Sequence, residues 1–260
     1  MIDHLSYSSI SLFLDCPEAW RRKYIAQEPV RTSPPLVFGS AFHNCVEDKI
    51  ANPEKDILSI WGDCWPAALE GQDVFWGADT PEQHFNEGVR ILSNKAVLDE
   101  ITKIKPLKLD VGTDTERPVI EQKVELRVPK VGVPIIGYID VILEDGTPAD
   151  FKTSKASWSD AKASEQLQSL FYIAALNQME VIVNWKFAHL IFVKTKEPKF
   201  QRLEHSHKPA ELFFLFRVIE QVWDAIEKQS FPLHPGSWRC SPNFCDFYQA
   251  CKGQYMNERG

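Results

Sequence analysis

The rhythm of apolar and polar positions changes near Pro118 and divides the chain. Before it, apolar residues recur every three or four positions, the period of a helix with one buried face. That spacing predicts helices over residues 6–26, with Ser6 or Ser8 as the N-cap, and over 37–51, 54–70 and 81–104. Pro29 to Pro35 and Gly71 to Thr80 read as connectors. The helix over 37–51 carries His43 and Glu47 one turn apart on one face.

After Pro118 the period drops to two. Val119-Ile-Glu-Gln-Lys-Val-Glu-Leu-Arg-Val alternates as a half-buried strand does. Further strands are expected over 133–143, 148–153, 185–194 and 200–205, and long helices over 159–179 and 209–230. The tail, 231–260, reads as irregular. This order predicts an α/β chain: a small mixed sheet flanked by helices, a helical N-terminal part and a cysteine-bearing C-terminal tail. We expect one domain over 1–260, with 52–117 as a helical insertion and 231–260 packing on the N-terminal helix.

Composition narrows the class. Eight Trp and 16 Phe in 260 residues provide for a large core. No apolar run reaches the roughly 18 residues that span a bilayer, and the first residues lack the basic and apolar blocks of a signal peptide. The expectation is a soluble cytoplasmic protein without a membrane partner. A net charge of -7 argues against a broadly basic surface but leaves room for local clusters such as Arg21-Arg22-Lys23. Six cysteines in such a chain are read as thiols or ligands rather than disulfides.

Two aspartates carry the candidate chemistry. Asp140 and Asp150 lie on successive strands joined by Glu144-Asp145-Gly146. A two-residue turn would send their side chains to opposite faces. A three-residue loop with Gly146 in the left-handed conformation shifts the register by one and sets Asp140 opposite Asp150, with Lys152 on the same face. We predict the second. Aspartates within nearly continuous apolar strands are expensive unless paired or metal-bound, and two carboxylates so placed can share one hard cation. His43, as neutral imidazole, can serve as a third ligand. Gln168 and Tyr172, four apart, share a helix face.

Four stretches, Gly39-Ser-Ala-Phe-His43, Gly137-Tyr-Ile-Asp140, Asp150-Phe-Lys152-Thr153 and Gln168-Ser-Leu-Phe-Tyr172, resemble in type and order the RecB-like branch of the PD-(D/E)XK nucleases. The resemblance spans about residues 5–252 and implies a restriction-endonuclease-like fold. It implies a Mg²⁺- or Mn²⁺-dependent deoxyribonuclease. His43, Asp140, Asp150 and the Phe151 carbonyl would hold the metal, and Lys152 would act on the attacking water. Gln168 and Tyr172 would position DNA. The expected activity is that of a single-stranded DNA exonuclease in recombination, repair or replication, and the compact form is compatible with a phage origin. A structure-specific endonuclease and a non-catalytic DNA-binding module are the alternatives. No Gly-x-x-x-x-Gly-Lys-Ser/Thr stretch occurs, so unwinding would fall to a helicase or recombination partner.

Part of that family, the AddB-like helicase–nuclease subunits and CRISPR-adaptation nucleases, holds an iron–sulfur cluster with one N-terminal and three C-terminal cysteines. Cys16, in a Cys-Pro context, and Cys240, Cys245 and Cys251 resemble that set. The gap between Cys240 and Cys245 is four residues, where the family usually has two. Four thiolates suit a 4Fe–4S cluster or structural Zn²⁺.

Overall fold

A computed structural model describes residues 2–110, 116–181 and 184–257. In chain order its elements are β1 (Leu5–Ser6), α1 (Tyr7–Asp15), α2 (Pro17–Tyr24), α3 (Pro34–Ala51), α4 (Ile57–Leu69), α5 (Pro81–Leu92) and α6 (Lys95–Lys103). Then come β2 (Lys108–Asp110), β3 (Glu116–Pro118), β4 (Ile120–Leu126), β5 (Ile135–Ile142), β6 (Pro148–Ser154), α7 (Asp160–Ser164) and α8 (Leu167–Gln178). β7 (Lys186–Val193), β8 (Lys199–Ser206), α9 (Glu211–Glu227) and α10 (Tyr248–Asn257) complete the chain. The expected mixed α/β architecture is present.

Three helices expected to be continuous are broken, two of them by local chemistry. The stretch 6–26 divides at Cys16, whose backbone is extended (φ -164°, ψ 105°) ahead of Pro17. A residue before proline is driven out of the helical region by the ring. Ser6 is the N-cap, its hydroxyl accepting from Ser9 N at 3.1 Å. The stretch 81–104 divides at Asn94, which caps α6 by accepting from Val97 N. The stretch 159–179 divides between α7 and α8. Four small elements were not anticipated. Strand β1 pairs with the start of β5, β2 and β3 form a two-stranded ladder closing the segment expected to be wholly helical, and α10 lies in the tail. Residues 111–115 of the 52–117 segment, and the two ends of the 1–260 span, lie outside the described residues.

The chain clusters into two compact units. One comprises Met1–Arg31, Glu125–Gly137 and Ala210–Gly260; the other comprises Thr32–Val124 and Tyr138–Pro209. In the second, the sheet runs β5-β6-β7-β8, antiparallel at β5/β6, parallel at β6/β7 and antiparallel at β7/β8. Side chains alternate across it. Ala149, Phe151, Ala188, Leu190 and Phe192 join Phe38, Phe42 and Trp61 in one core against α3 and α4. The opposite face carries Asp150, Lys152, Phe187 and His189 beneath α8, where Tyr172 stacks on Phe187 with ring planes 1° apart. Within the core, α5 meets Trp61 so closely that a methyl group at Gly88 would lie 2.1 Å from the indole.

In the first unit the tail is tied to α1. Arg239 Nε pairs with Asp15 at 3.2 Å, His234 meets the Asp15 carbonyl, and Phe247 packs on Cys16 and Ala19.

Candidate active site

The β5/β6 hairpin builds the centre. Its register, Val141↔Ala149 and Ile142↔Pro148, is that of the three-residue loop. Leu143 N donates to Thr147 O and Gly146 N to Leu143 O, both at 2.8 Å. Gly146 has φ 79°, where a side chain would be strained. Continued by one rung, this register brings Asp140 opposite Asp150. There the two strands cease to pair through backbone: Phe151 N donates to Asp140 Oδ2 at 2.5 Å in place of a ladder bond. A carboxylate thus terminates the ladder and opens the strands where the chemistry is needed.

Around it the expected groups gather. His43 Nδ1, from α3, lies 3.6 Å from Asp140 Oδ2, and its ring meets Phe151 edge-on. Lys152 Nζ lies 2.6 Å from Asp150 Oδ2 and donates to Gln168 Oε1 at 2.9 Å. Gln168 Nε2 donates to Tyr172 Oη at 3.4 Å, and Tyr172 Oη donates to the Tyr138 carbonyl at 2.5 Å. Gln168 and Tyr172 therefore reach the centre through Lys152 and the backbone of β5. The set spans α3, β5, β6 and α8, all within one unit.

Electrostatics favour a cation here. Burial holds the Asp140 carboxyl well above its usual range, and the Asp150 charge adds to that. Burial lowers His43 to about 4, so at neutral pH the ring is uncharged and has a lone pair to offer. Glu47, one turn along α3 from His43, is pushed up to about 7 by burial and by Glu121, and its own charge raises Asp140. Among the described residues, no three His, Cys, Asp or Glu side chains converge tightly enough to hold a metal ion. The contacts explain this. Asp140 Oδ2 is engaged by the Phe151 N–H and Asp150 Oδ2 by the Lys152 ammonium. Two hard-oxygen carboxylates and a neutral imidazole, in a setting that disfavours uncompensated negative charge, fit Mg²⁺ or Mn²⁺.

One expectation changes. Gly39, which opens the first of the four stretches, was expected for close backbone approach in the family's pattern; a methyl there would meet Thr153 Oγ1 at 3.9 Å, an ordinary contact. No neighbouring protein atom demands glycine. Two groups beside the centre were not assigned from sequence. Glu47 was visible as the i+4 partner of His43. His189 stands out only as the lone ionisable residue in Phe187-Ala-His-Leu-Ile-Phe-Val193.

The four cysteines of the other unit line one cavity of about 340 Å³, together with Arg22, Arg239 and Lys252. Burial raises the Cys245 and Cys251 thiols, and neighbouring cysteines, Cys16 among them, add to the effect. Among the described residues they do not form a group that could hold a metal ion.

A sequence-profile match to the PD-(D/E)XK nuclease superfamily covers residues 4–252, and the chain belongs to that superfamily. It is thereby a nuclease-class protein whose expected substrate is DNA, and such nucleases usually use Mg²⁺ or Mn²⁺. The crystal structure of a "Putative exonuclease" from Eubacterium rectale is 12% identical, with TM-score 0.62 over 95% of this chain and 88% of that one, and shares the fold. A second solved structure, SSO0001, is 16% identical, with TM-score 0.35 over 92% of this chain and 93% of that one. No curated protein matches the sequence significantly. Among the described residues no helix is long and apolar enough to cross a membrane.

Proposed function

We propose that the chain is a Mg²⁺- or Mn²⁺-dependent exodeoxyribonuclease acting on single-stranded DNA or frayed ends, in recombination, repair or replication. One observation carries this reading: Asp140 and Asp150 stand opposite one another where the β5/β6 ladder opens, with His43 and Lys152 against them. Asp140, Asp150, His43 and the Phe151 carbonyl are the groups that would hold the ion. The ion supplies charge neutralisation at the phosphate and a water acidic enough to attack. Lys152 has two partners, Asp150 and Gln168. Released from Asp150 and still held by Gln168, its ammonium is directed to the attacking water or to the phosphate charge. His43, uncharged, adds no repulsion to a bound cation. The exonuclease description of the Eubacterium rectale neighbour favours attack from ends over internal cutting. The setting is cytoplasmic, with strand separation supplied by a partner.

End-labelled linear and closed-circular single-stranded DNA, incubated with Mg²⁺, test this together. We expect loss of the linear form alone, and no loss with Asp150→Ala or Lys152→Ala. Cutting of the circle would make the protein an endonuclease. Wild-type turnover in either variant would remove the assigned site.

We further propose that Cys16, Cys240, Cys245 and Cys251 hold an iron–sulfur cluster, the AddB-like arrangement. Zinc–sulfur bonds of about 2.3 Å draw four thiolates to one point. The cavity of about 340 Å³ that the four cysteines line gives room for a multi-iron body. The cluster would fix the break after α1 to the tail, a structural role. Protein purified without oxygen should be brown and lose its colour in Cys245→Ala. A colourless preparation with one zinc per chain would replace the cluster with Zn²⁺ and leave the nuclease reading intact.

A further inference from the structure

From Phe187 to Val193, strand β7 is apolar but for His189, which is wholly buried. Neither ring nitrogen makes a hydrogen bond. The Ala163 backbone acts weakly on the ring but not in hydrogen-bonding geometry. A buried polar group left without a partner typically costs about 1–3 kcal/mol, so its retention in the core calls for a use.

His189 is the register partner of Asp150 in the parallel β6/β7 pair. Partners in register leave the same face of the sheet, from strands about 4.8 Å apart. Asp150 is the complementary case. It is 3% exposed, and its Oδ2 accepts no hydrogen bond of good geometry although the Lys152 ammonium lies 2.6 Å away. One group has an N–H without an acceptor; the other is a carboxylate oxygen held by the charge of Lys152 rather than by an aligned hydrogen bond. Burial lowers the His189 pKa, and the Asp150 charge is the largest influence opposing it. The neutral ring keeps one N–H. Packing fixes its place: His205 stacks on it at 5.4 Å and 17°, with Trp158 and Phe187 at 5.4 and 5.0 Å.

We propose that His189 is a positioning residue whose imidazole N–H orients the Asp150 carboxylate for cation binding. This rests on the reading of Asp150 as a metal ligand. When Lys152 turns from Asp150 toward substrate, the carboxylate is freed to turn and accept from the imidazole N–H, which has no acceptor among the described residues. Partners of this kind behind metal ligands typically change affinity 10–100-fold when removed.

The test is Mn²⁺ affinity of DNA-free protein, from the resonance signal of free Mn²⁺, for wild type, His189→Leu, His189→Gln and Asp150→Ala. We expect His189→Leu to weaken binding about 10–100-fold, and His189→Gln, which retains an N–H at similar reach, to restore most of it. Metal-free melting of His189→Leu should not fall in proportion, since an unpaired polar group has been removed. Should the leucine variant not fold, His189→Phe makes the same comparison. Unchanged Mn²⁺ affinity in His189→Leu, or an equal loss in His189→Gln, overturns the proposal while Asp150→Ala still abolishes binding. Full binding by Asp150→Ala overturns the ligand assignment itself, and this proposal with it.

Discussion

Glu47 is a carboxylate placed at an energetic disadvantage, and the amount can be worked out. It lies half-buried on α3, one turn from His43, with no hydrogen bond or ion pair among the described residues. Burial, with Glu121 adding, raises its pKa from the ordinary 4.5 to about 7. Between these values the folded protein retains a proton that the unfolded chain has released. Stability therefore falls as pH rises from 4.5 to 7, and the whole loss is present above 7. At about 1.36 kcal/mol per pKa unit the loss is somewhat over 3 kcal/mol. Glu47→Gln removes the ionisation and keeps the shape. For a chain of this size about 1 kcal/mol moves the melting temperature roughly 2–4 °C, so the variant should melt about 6–12 °C higher at pH 8 in chelator. The gap should close toward pH 4.5, where both forms are neutral. Thermal melting from pH 4.5 to 8 reads this directly. Mn²⁺ should narrow the gap at pH 8, because a cation at Asp140 also relieves Glu47. Parallel melting curves at all pH values, or a variant less stable at pH 8, would refute the electrostatic account of this helix face.

Three further substitutions test the frame that holds the site. Gly88→Ala places a methyl 2.1 Å from the Trp61 indole; such overpacking costs about 1–3 kcal/mol, read as a lower melting temperature and altered tryptophan emission. Gly146→Val puts a branched side chain at φ 79°; about 1–2 kcal/mol should be lost, and because the loop sets the register of Asp140 and Asp150, cleavage should fall further than folded fraction. Tyr172→Phe keeps the stack on Phe187 but removes the hydrogen bond to the Tyr138 carbonyl; about 0.5–1.5 kcal/mol of stability should go, with kcat reduced more than KM if Tyr172 acts through Gln168 and Lys152.

The site was readable from sequence to the extent that it depends on period and turn chemistry. An apolar period of two fixes which side chains share a face, and one glycine in the left-handed region decides between two registers. Asp140, Asp150 and Lys152 follow from those two facts alone. The helix breaks at Cys16 and Asn94 carried local signals as well, a following proline and a capping amide, but a continuing apolar period masked them. What period cannot express is adjacency between strands distant in sequence. Asp150 and His189 are 39 positions apart, and only the parallel crossover makes them neighbours. The same limit hid Glu121 beside Glu47, and with it the reason that Glu47 is disfavoured. Residues that tune a charge through long-range pairing are therefore the ones sequence reading passes over, whereas residues that bear the charge within a hairpin announce themselves. A lone histidine in an apolar strand is the exception: its type is wrong for its surroundings, and that mismatch calls for a search for the partner that explains it.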